Sequence, residues 1–105
     1  MKIAVKSAGD RKKIILMVDK FDVANMQDIK KSIEKELKSD KSDILIDLSL
    51  VKFIDSSGLS VIIAVFKQLT KLKKKLELCG VQKQPKELLE ITQLHKIFTI
   101  VNSCK

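Results

Sequence analysis

A short polar cluster, Asp55-Ser56-Ser57-Gly58, lies where an apolar strand gives way to an amphipathic helix. Open α/β sheets present functional groups at such junctions, because free backbone N–H groups and hydroxyls reach solvent there. A serine at this position can cap the helix, which stabilises it by about 1 kcal/mol. It can also accept a phosphate, whose charge the helix amides and dipole tolerate. The two roles do not exclude each other.

Serine hydrolysis is a poor explanation of this cluster. A nucleophile elbow needs glycine two residues before and two residues after the serine, and Ile54 occupies the earlier position relative to Ser56. The chain has one histidine, His95, late in a helical pattern, where a surface or packing role is the ordinary one. We therefore expect a protein that is not an enzyme and has no catalytic residues.

Metal and cofactor sites have no support in the residue spacing. Cys79, Cys104 and His95 show no metal-ligand spacing, and the three glycines form no phosphate-binding loop. We predict neither a metal nor a cofactor. Two cysteines could pair, but Cys79 stands in an apolar strand context, which favours a buried free thiol.

Hydrophobic periodicity predicts the order β-β-α-β-α-β-α-β. Strands over residues 3–5 and 14–18 are expected to pair antiparallel across a turn at 7–10. Later strands alternate with helices, which implies a largely parallel sheet with right-handed crossovers, covered by those helices. We predict one α/β domain over residues 1–105. The predicted later strands are 44–48, 76–79 and 97–101.

Apolar stripes define the three predicted helices. The first begins after Asp22 or Asn25, either of which can accept a bond from a first-turn amide, and it is ended by the polar segment 39–43. Pro85 suits the first turn of the third helix. The stripes are Met26, Ile29, Ile33 and Leu37 in the first helix, Leu59, Ile62, Ile63, Phe66 and Leu69 in the second, and Leu88, Leu89, Ile91 and Leu94 in the third.

The chain is strongly basic, with a formal net charge of +8 and a single arginine, Arg11. Lysines concentrate in the segment 71–75. Nucleic-acid readers usually use arginine and stacking aromatics, and Trp and Tyr are absent. We expect a solvated lysine surface without direct nucleic-acid binding, with an acidic partner or nucleic acid as the alternatives. No apolar run reaches the ~20 residues of a membrane span, and the N-terminus is unlike a secretion signal. These features predict a cytoplasmic protein without membrane insertion.

Two segments together resemble the signature of the STAS domain, specifically of bacterial anti-sigma factor antagonists. They are Ile-Leu-Ile-Asp-Leu-Ser at 44–49 and Phe-Ile-Asp-Ser-Ser-Gly-Leu at 53–59. The resemblance extends over nearly the whole chain, since residues 88–100 are similar to the last helix and strand of the family. Asp-Lys-Phe-Asp at 19–22 stands where the family commonly has Gly-Glu-Leu-Asp, and Ser60 replaces a frequent glycine.

The resemblance implies a phosphorylation switch at Ser56. The unphosphorylated protein would bind an anti-sigma factor with serine kinase activity and release the sigma factor, and phosphorylation would end that binding. A PP2C-type phosphatase would reset the switch, and the nucleotide would belong to the kinase. A monomer is expected, and Gly58 would keep the approach to Ser56 open. The alternative is an accessory subunit of a transport or signalling complex that is not phosphorylated. The implied partner-binding residues are Asp22, Asn25, Asp55, Ser57, Gly58 and Leu59.

Overall fold

Within residues 2–39 and 41–104, which the computed structural model of the protein describes, there are seven strands and three α-helices. The strands are β1 (Ile3–Ala8), β2 (Arg11–Leu16), β3 (Lys20–Phe21), β4 (Asp43–Asp47), β5 (Phe53–Ile54), β6 (Leu76–Cys79) and β7 (Thr99–Val101). The helices are α1 (Met26–Leu37), α2 (Ser56–Lys71) and α3 (Lys83–Ile91), and a 3-10 turn (Leu94–Lys96) follows α3.

A five-stranded sheet has the order β1-β2-β4-β6-β7. β1 and β2 pair antiparallel, whereas β2, β4, β6 and β7 run parallel to one another. This confirms the predicted α/β class, with a mostly parallel sheet and an antiparallel first strand. The two-residue strands β3 and β5 were not predicted, and they form a separate parallel pair.

The central strand β4 shows why this order is stable. Ile46 of β4 is in register with Ile14 of β2 and with Leu78 of β6, and all three side chains are completely buried. They belong to one hydrophobic cluster with the buried faces of α1 and α2. A parallel strand covered by helices has to be apolar over most of its length, and β4 meets this requirement.

The first helix follows its predicted stripe, since Ile29, Ile33 and Leu37 are buried. Its predicted side-chain cap is wrong. Asn25 occupies the N-cap position without bonding a first-turn amide, because its side chain turns back to the loop that precedes the helix. The helix ends at Leu37, before the predicted terminating segment 39–43, of which Asp40 lies outside the described residues.

The structure confirms the predicted position of Pro85, which is buried in the first turn of the third helix. The predicted stripe is wrong at Ile91, which is 79% exposed. The helix ends at that residue, and Gln93 then adopts a positive φ of 65°. Leu94 therefore lies in the separate 3-10 turn, and the last strand is shorter than predicted because it begins only at Thr99.

Cys79 and Cys104 form a disulfide. Cys79 is buried as predicted, but the prediction of a free thiol is wrong. Cys79 is in register with Val101 on the neighbouring parallel strand, so the segment after β7 begins beside it. Lys13 supports this placement, because its Nζ donates to the carbonyl oxygen of Cys104 at 3.0 Å.

Among the described residues, no helix has both the length and the apolarity to cross a membrane.

Replacing Cys104 tests how much this bond stabilises the fold. The bonded residues are 25 positions apart, and a loop of that size predicts that Cys104→Ser lowers the free energy of unfolding by about 3 to 4 kcal/mol. The measurement is urea denaturation with and without dithiothreitol. In reductant the two proteins should be equally stable, and equal stability without reductant would contradict a formed disulfide.

Candidate functional site

Asp55 begins the second helix. Its backbone is extended, and its Oδ1 accepts a hydrogen bond from the amide of Gly58 at 2.9 Å. Asp55 is therefore the N-cap, and Ser56 is the first helical residue. The prediction that Ser56 or Ser57 caps the helix is wrong. Aspartate is among the best N-cap residues, so the residue type itself was the signal that could have identified it.

With the cap supplied by Asp55, the hydroxyl of Ser56 has no structural task. Ser56 is exposed, and within the described part of the chain its hydroxyl has no hydrogen-bond partner. The neighbouring Ser57 is half-buried, and its carbonyl accepts a bond from the Ser60 hydroxyl at 2.6 Å. Ser56 thus presents a free nucleophilic oxygen at a helix N-terminus, and the fold does not depend on that oxygen.

The second carboxylate oxygen of Asp55 reaches a different segment. Oδ2 accepts a bond from the amide of Val23 at 3.3 Å. One side chain therefore joins the start of α2 to the loop between β3 and α1.

Asp22 and Asn25 shape that loop. Asp22 Oδ1 accepts from the Ala24 amide at 3.0 Å, and Asn25 Oδ1 accepts from the Asp22 amide at 3.1 Å. Asn25 Nδ2 also donates to the carbonyl of Lys20 at 2.7 Å. These bonds give the loop a defined shape, and Val23 fixes it to Asp55. The structure thus brings Asp22, Asn25 and Asp55 together beside Ser56. We use the name Ser56 surface for the five residues Asp22, Val23, Asn25, Asp55 and Ser56.

Gly58 and Leu59 lie beneath this surface. Gly58 is buried, and a Cβ at this position would lie 2.3 Å from the carbonyl oxygen of Phe21. The absent side chain thus faces the protein interior, where it lets the first turn of α2 contact the end of β3. Leu59 is only 6% exposed. The expectation that Gly58 keeps the approach to Ser56 open is therefore corrected, because this glycine is needed for internal packing.

Gln84 of α3 holds β5, the strand that leads directly into the site. Its Oε1 accepts from the amide of Ile54 at 2.8 Å, and its Nε2 donates to the carbonyl of Ile54 at 3.0 Å. The other edge of β5 pairs with β3. Sequence reasoning missed Gln84, and no local signal could have found a contact over 30 residues of chain.

Apolar side chains are exposed on the Ser56 surface and on the segments that flank it. Val23 is 71% exposed and Phe53 is 40% exposed. Met17 and Leu50 are also exposed, and they line a shallow depression of about 460 Å³ with Lys52 and other residues. Clusters of exposed apolar side chains with polar neighbours are typical of protein-interaction surfaces.

Two other groups of polar residues lie outside this site. Asp47, Cys79 and Cys104 have potential ligand atoms within 4.8 Å of one another, but the two sulfur atoms are bonded to each other and have no thiolate to offer a metal. His95 lies in the 3-10 turn, where its Nδ1 is 3.3 Å from the carbonyl oxygen of Leu89. His95 is exposed, and this contact fits the surface or packing role expected for it.

Comparison with known proteins relates the whole described chain to one family. The family model of the STAS domain matches residues 3–105. The anti-sigma-B factor antagonist of Listeria monocytogenes is 31% identical over 88 residues, which cover 84% of this chain and 77% of the relative. A protein of Bordetella bronchiseptica provisionally named an anti-sigma factor antagonist is 29% identical over 80 residues, covering 76% of this chain and 69% of that protein.

Solved structures agree with the sequence comparison. A crystal structure from Thermotoga maritima, of a protein also provisionally named an anti-sigma factor antagonist, superposes with a TM-score of 0.83 at 27% identity. The superposition covers 97% of this chain and 87% of the other. The fold and the order of its elements are therefore shared along nearly the full length of both proteins.

The contact between Gly58 and Phe21 yields a test of the local packing. Alanine usually stabilises a helix by about 1 kcal/mol relative to glycine, but here the added Cβ would meet backbone atoms. We expect Gly58→Ala to lower the free energy of unfolding by about 2 kcal/mol, measured by chemical denaturation. Ser60→Ala, at an exposed position of the same helix, serves as the control and should change stability by less than about 1 kcal/mol. A Gly58→Ala protein as stable as the wild type would contradict this packing.

Proposed function

Because the chain belongs to the STAS domain family, we propose that it is an anti-sigma factor antagonist switched by phosphorylation of Ser56. The observation that carries the proposal is the state of the Ser56 hydroxyl. It is exposed at the first position of α2, while Asp55 supplies the helix cap. A kinase can therefore modify this oxygen without removing a bond that the fold needs.

The electrostatics of the helix start support a phosphate that changes the surface and preserves the fold. Phosphorylation adds about −1.5 to −2 charges and three acceptor oxygens. The amides and dipole of α2 stabilise negative charge at this end. The half-buried Asp55 carboxylate belongs to the adjacent residue, so two negative groups would then lie next to each other. A partner whose surface fits the neutral hydroxyl would have to remove water from the phosphate and bury its negative charge.

The Ser56 surface has the composition of a partner-binding site. Asp22, Asn25 and Asp55 would contribute polar contacts around Ser56, and Val23 would contribute exposed apolar area. Ser57 and Phe53, next to this surface, would add one polar and one apolar contact. Gly58 and Leu59, being buried, would act by holding α2 in position. We propose that this surface binds the anti-sigma factor.

The proposed partners follow from the same switch. The anti-sigma factor would itself be the serine kinase and would bring the nucleotide, so this chain would act as a binding protein and not as an enzyme. A PP2C-type phosphatase would remove the phosphate.

Such a switch operates in the cytoplasm, where disulfides persist chiefly in hyperthermophiles. The redox state of Cys79 and Cys104 in cells would therefore report on the compartment of the protein.

Phosphopeptide mapping of the protein from its native host, in resting and stressed growth, is the direct test. We expect a phosphate on Ser56 whose occupancy changes with growth condition. Complete absence of phosphate under every condition would overturn the switch and favour an accessory subunit of a transport or signalling complex.

Substitution of Ser56 tests the consequence for binding. Ser56→Asp places a carboxylate on the surface, and we expect it to weaken binding to the host's anti-sigma factor by about 100-fold or more, as measured by isothermal titration calorimetry. Its thermal stability should stay near that of the wild type, because an acidic residue is favourable in the first turn of a helix.

Ser56→Asn is the matched control, since it has nearly the same shape without the charge. It should bind more tightly than Ser56→Asp. Equal binding by the wild type and Ser56→Asp would show that charge at this position does not control the interaction. Loss of folding in Ser56→Asp would show that Ser56 has a structural role.

A further inference from the structure

A basic surface lies at the opposite end of α2 from Ser56. The helix has 16 residues, which at 1.5 Å per residue makes it about 24 Å long. At its far end the turn between α2 and β6 lies beside the end of α1, since Lys74 Nζ donates to the carbonyl of Leu37 at 3.1 Å. We call this surface the basic end, and it comprises Lys38, Lys41, Lys71, Lys73 and Lys75 around Leu72.

The charge of the basic end is poorly compensated. Its five lysines are exposed, and the side-chain ion pairs found among the described residues involve other cations, namely Lys2, Arg11 and Lys12. In the sequence, segments 38–43 and 71–75 together contain six lysines and two aspartates. A field of one sign therefore projects into solvent from this end.

Leu72 gives this surface an apolar centre. It is 54% exposed, and it lies in a turn in which the next residue, Lys73, has a positive φ of 59°. An open concavity of about 630 Å³ adjoins it, lined by Leu37, Lys38, Lys41, Leu72, Lys73 and Lys74. The basic end thus combines an exposed leucine with exposed lysines, of which Lys38, Lys41 and Lys73 line the same concavity.

Helix capping explains only part of this lysine cluster. Lys74 donates to the last turn of α1 through Leu37, and Lys12 donates to the carbonyl of Glu36 in the same turn at 3.1 Å. Both therefore offset the negative end of the α1 dipole. The exposed lysines of the basic end are not needed for these bonds, so capping does not explain why so many lysines occur at this end of the fold.

The chemistry of the basic end favours a lipid surface over nucleic acid. Nucleic-acid sites use arginine forks and aromatic stacking, and the basic end contains neither residue type. Lysines around an exposed apolar side chain suit the headgroup region of an anionic bilayer, where ammonium groups meet phosphates and the apolar tip leaves water.

We propose that the basic end binds peripherally to membranes rich in anionic phospholipid. The lysines supply the attraction and Leu72 reaches into the interface without crossing it. Because α2 separates the two ends, the Ser56 surface stays open to a protein partner while the basic end lies on a bilayer. This inference does not depend on the proposed switch at Ser56.

Vesicle co-sedimentation tests the inference with the intact protein. We expect binding to phosphatidylcholine vesicles that contain about 30% phosphatidylglycerol and little binding to pure phosphatidylcholine. Raising the salt from about 50 to about 500 mM should release the protein, because the screening length falls severalfold.

Two double variants distinguish the effect of charge at the basic end from the effect of the net charge of the protein. Lys41→Glu with Lys73→Glu changes the basic end, whereas Lys83→Glu with Lys86→Glu changes exposed lysines of α3, and each pair lowers the net charge equally. The first pair should weaken vesicle binding by about tenfold or more, and the second should have a much smaller effect. Leu72→Ser should also weaken binding, at unchanged charge. Circular dichroism of each variant checks that it is folded.

Any one of three results would overturn the proposal. These are the absence of vesicle binding at low salt, an equal loss of vesicle binding in the two double variants, and undiminished vesicle binding by Leu72→Ser. Binding to duplex DNA in the absence of vesicle binding would instead identify a nucleic-acid surface. Ser56→Asp should bind vesicles like the wild type, so failure of the phosphorylation switch and failure of membrane binding give different results.

Discussion

The two hydrogen bonds that the Asp55 carboxylate accepts are the interactions on which the candidate site depends. One oxygen caps α2 through the Gly58 amide, and the other holds the loop between β3 and α1 through the Val23 amide. A single side chain thus sets where the helix begins and which loop lies beside it. Because Asp55 satisfies the helix start, the adjacent Ser56 is left exposed and unbonded within the described part of the chain.

Close packing beneath the site holds this arrangement in place. The first turn of α2 can approach Phe21 only because residue 58 lacks a side chain. The short strand β5 is held on one edge by β3 and on the other by the amide group of Gln84. A two-residue strand has little stability alone, so these flanking bonds keep the approach to Ser56 in one geometry.

The regular elements and the helix start at the candidate site could be predicted from sequence because both depend on local patterns. Alternating and continuous apolar runs identified the strands of the main sheet, and the Asp-Ser-Ser-Gly cluster marked the helix start. The errors involve long-range contacts or local geometry without a pattern. Cys79 and Cys104 meet because parallel strands place the end of β6 beside the chain that follows β7. Ile91 follows the helical period but lies where the helix ends.

The disulfide also restricts how copies of this protein can interact with one another. β7 is a three-residue strand at the edge of the sheet, and such edges readily exchange between molecules. The segment between Cys79 and Cys104 is anchored at its far end to a buried strand by a covalent bond. If β7 detaches, it remains tethered at both ends and re-pairs within its own molecule at high effective concentration. Domain swapping through this strand would first require that the bond be broken, so oxidation keeps β7 paired within its own molecule.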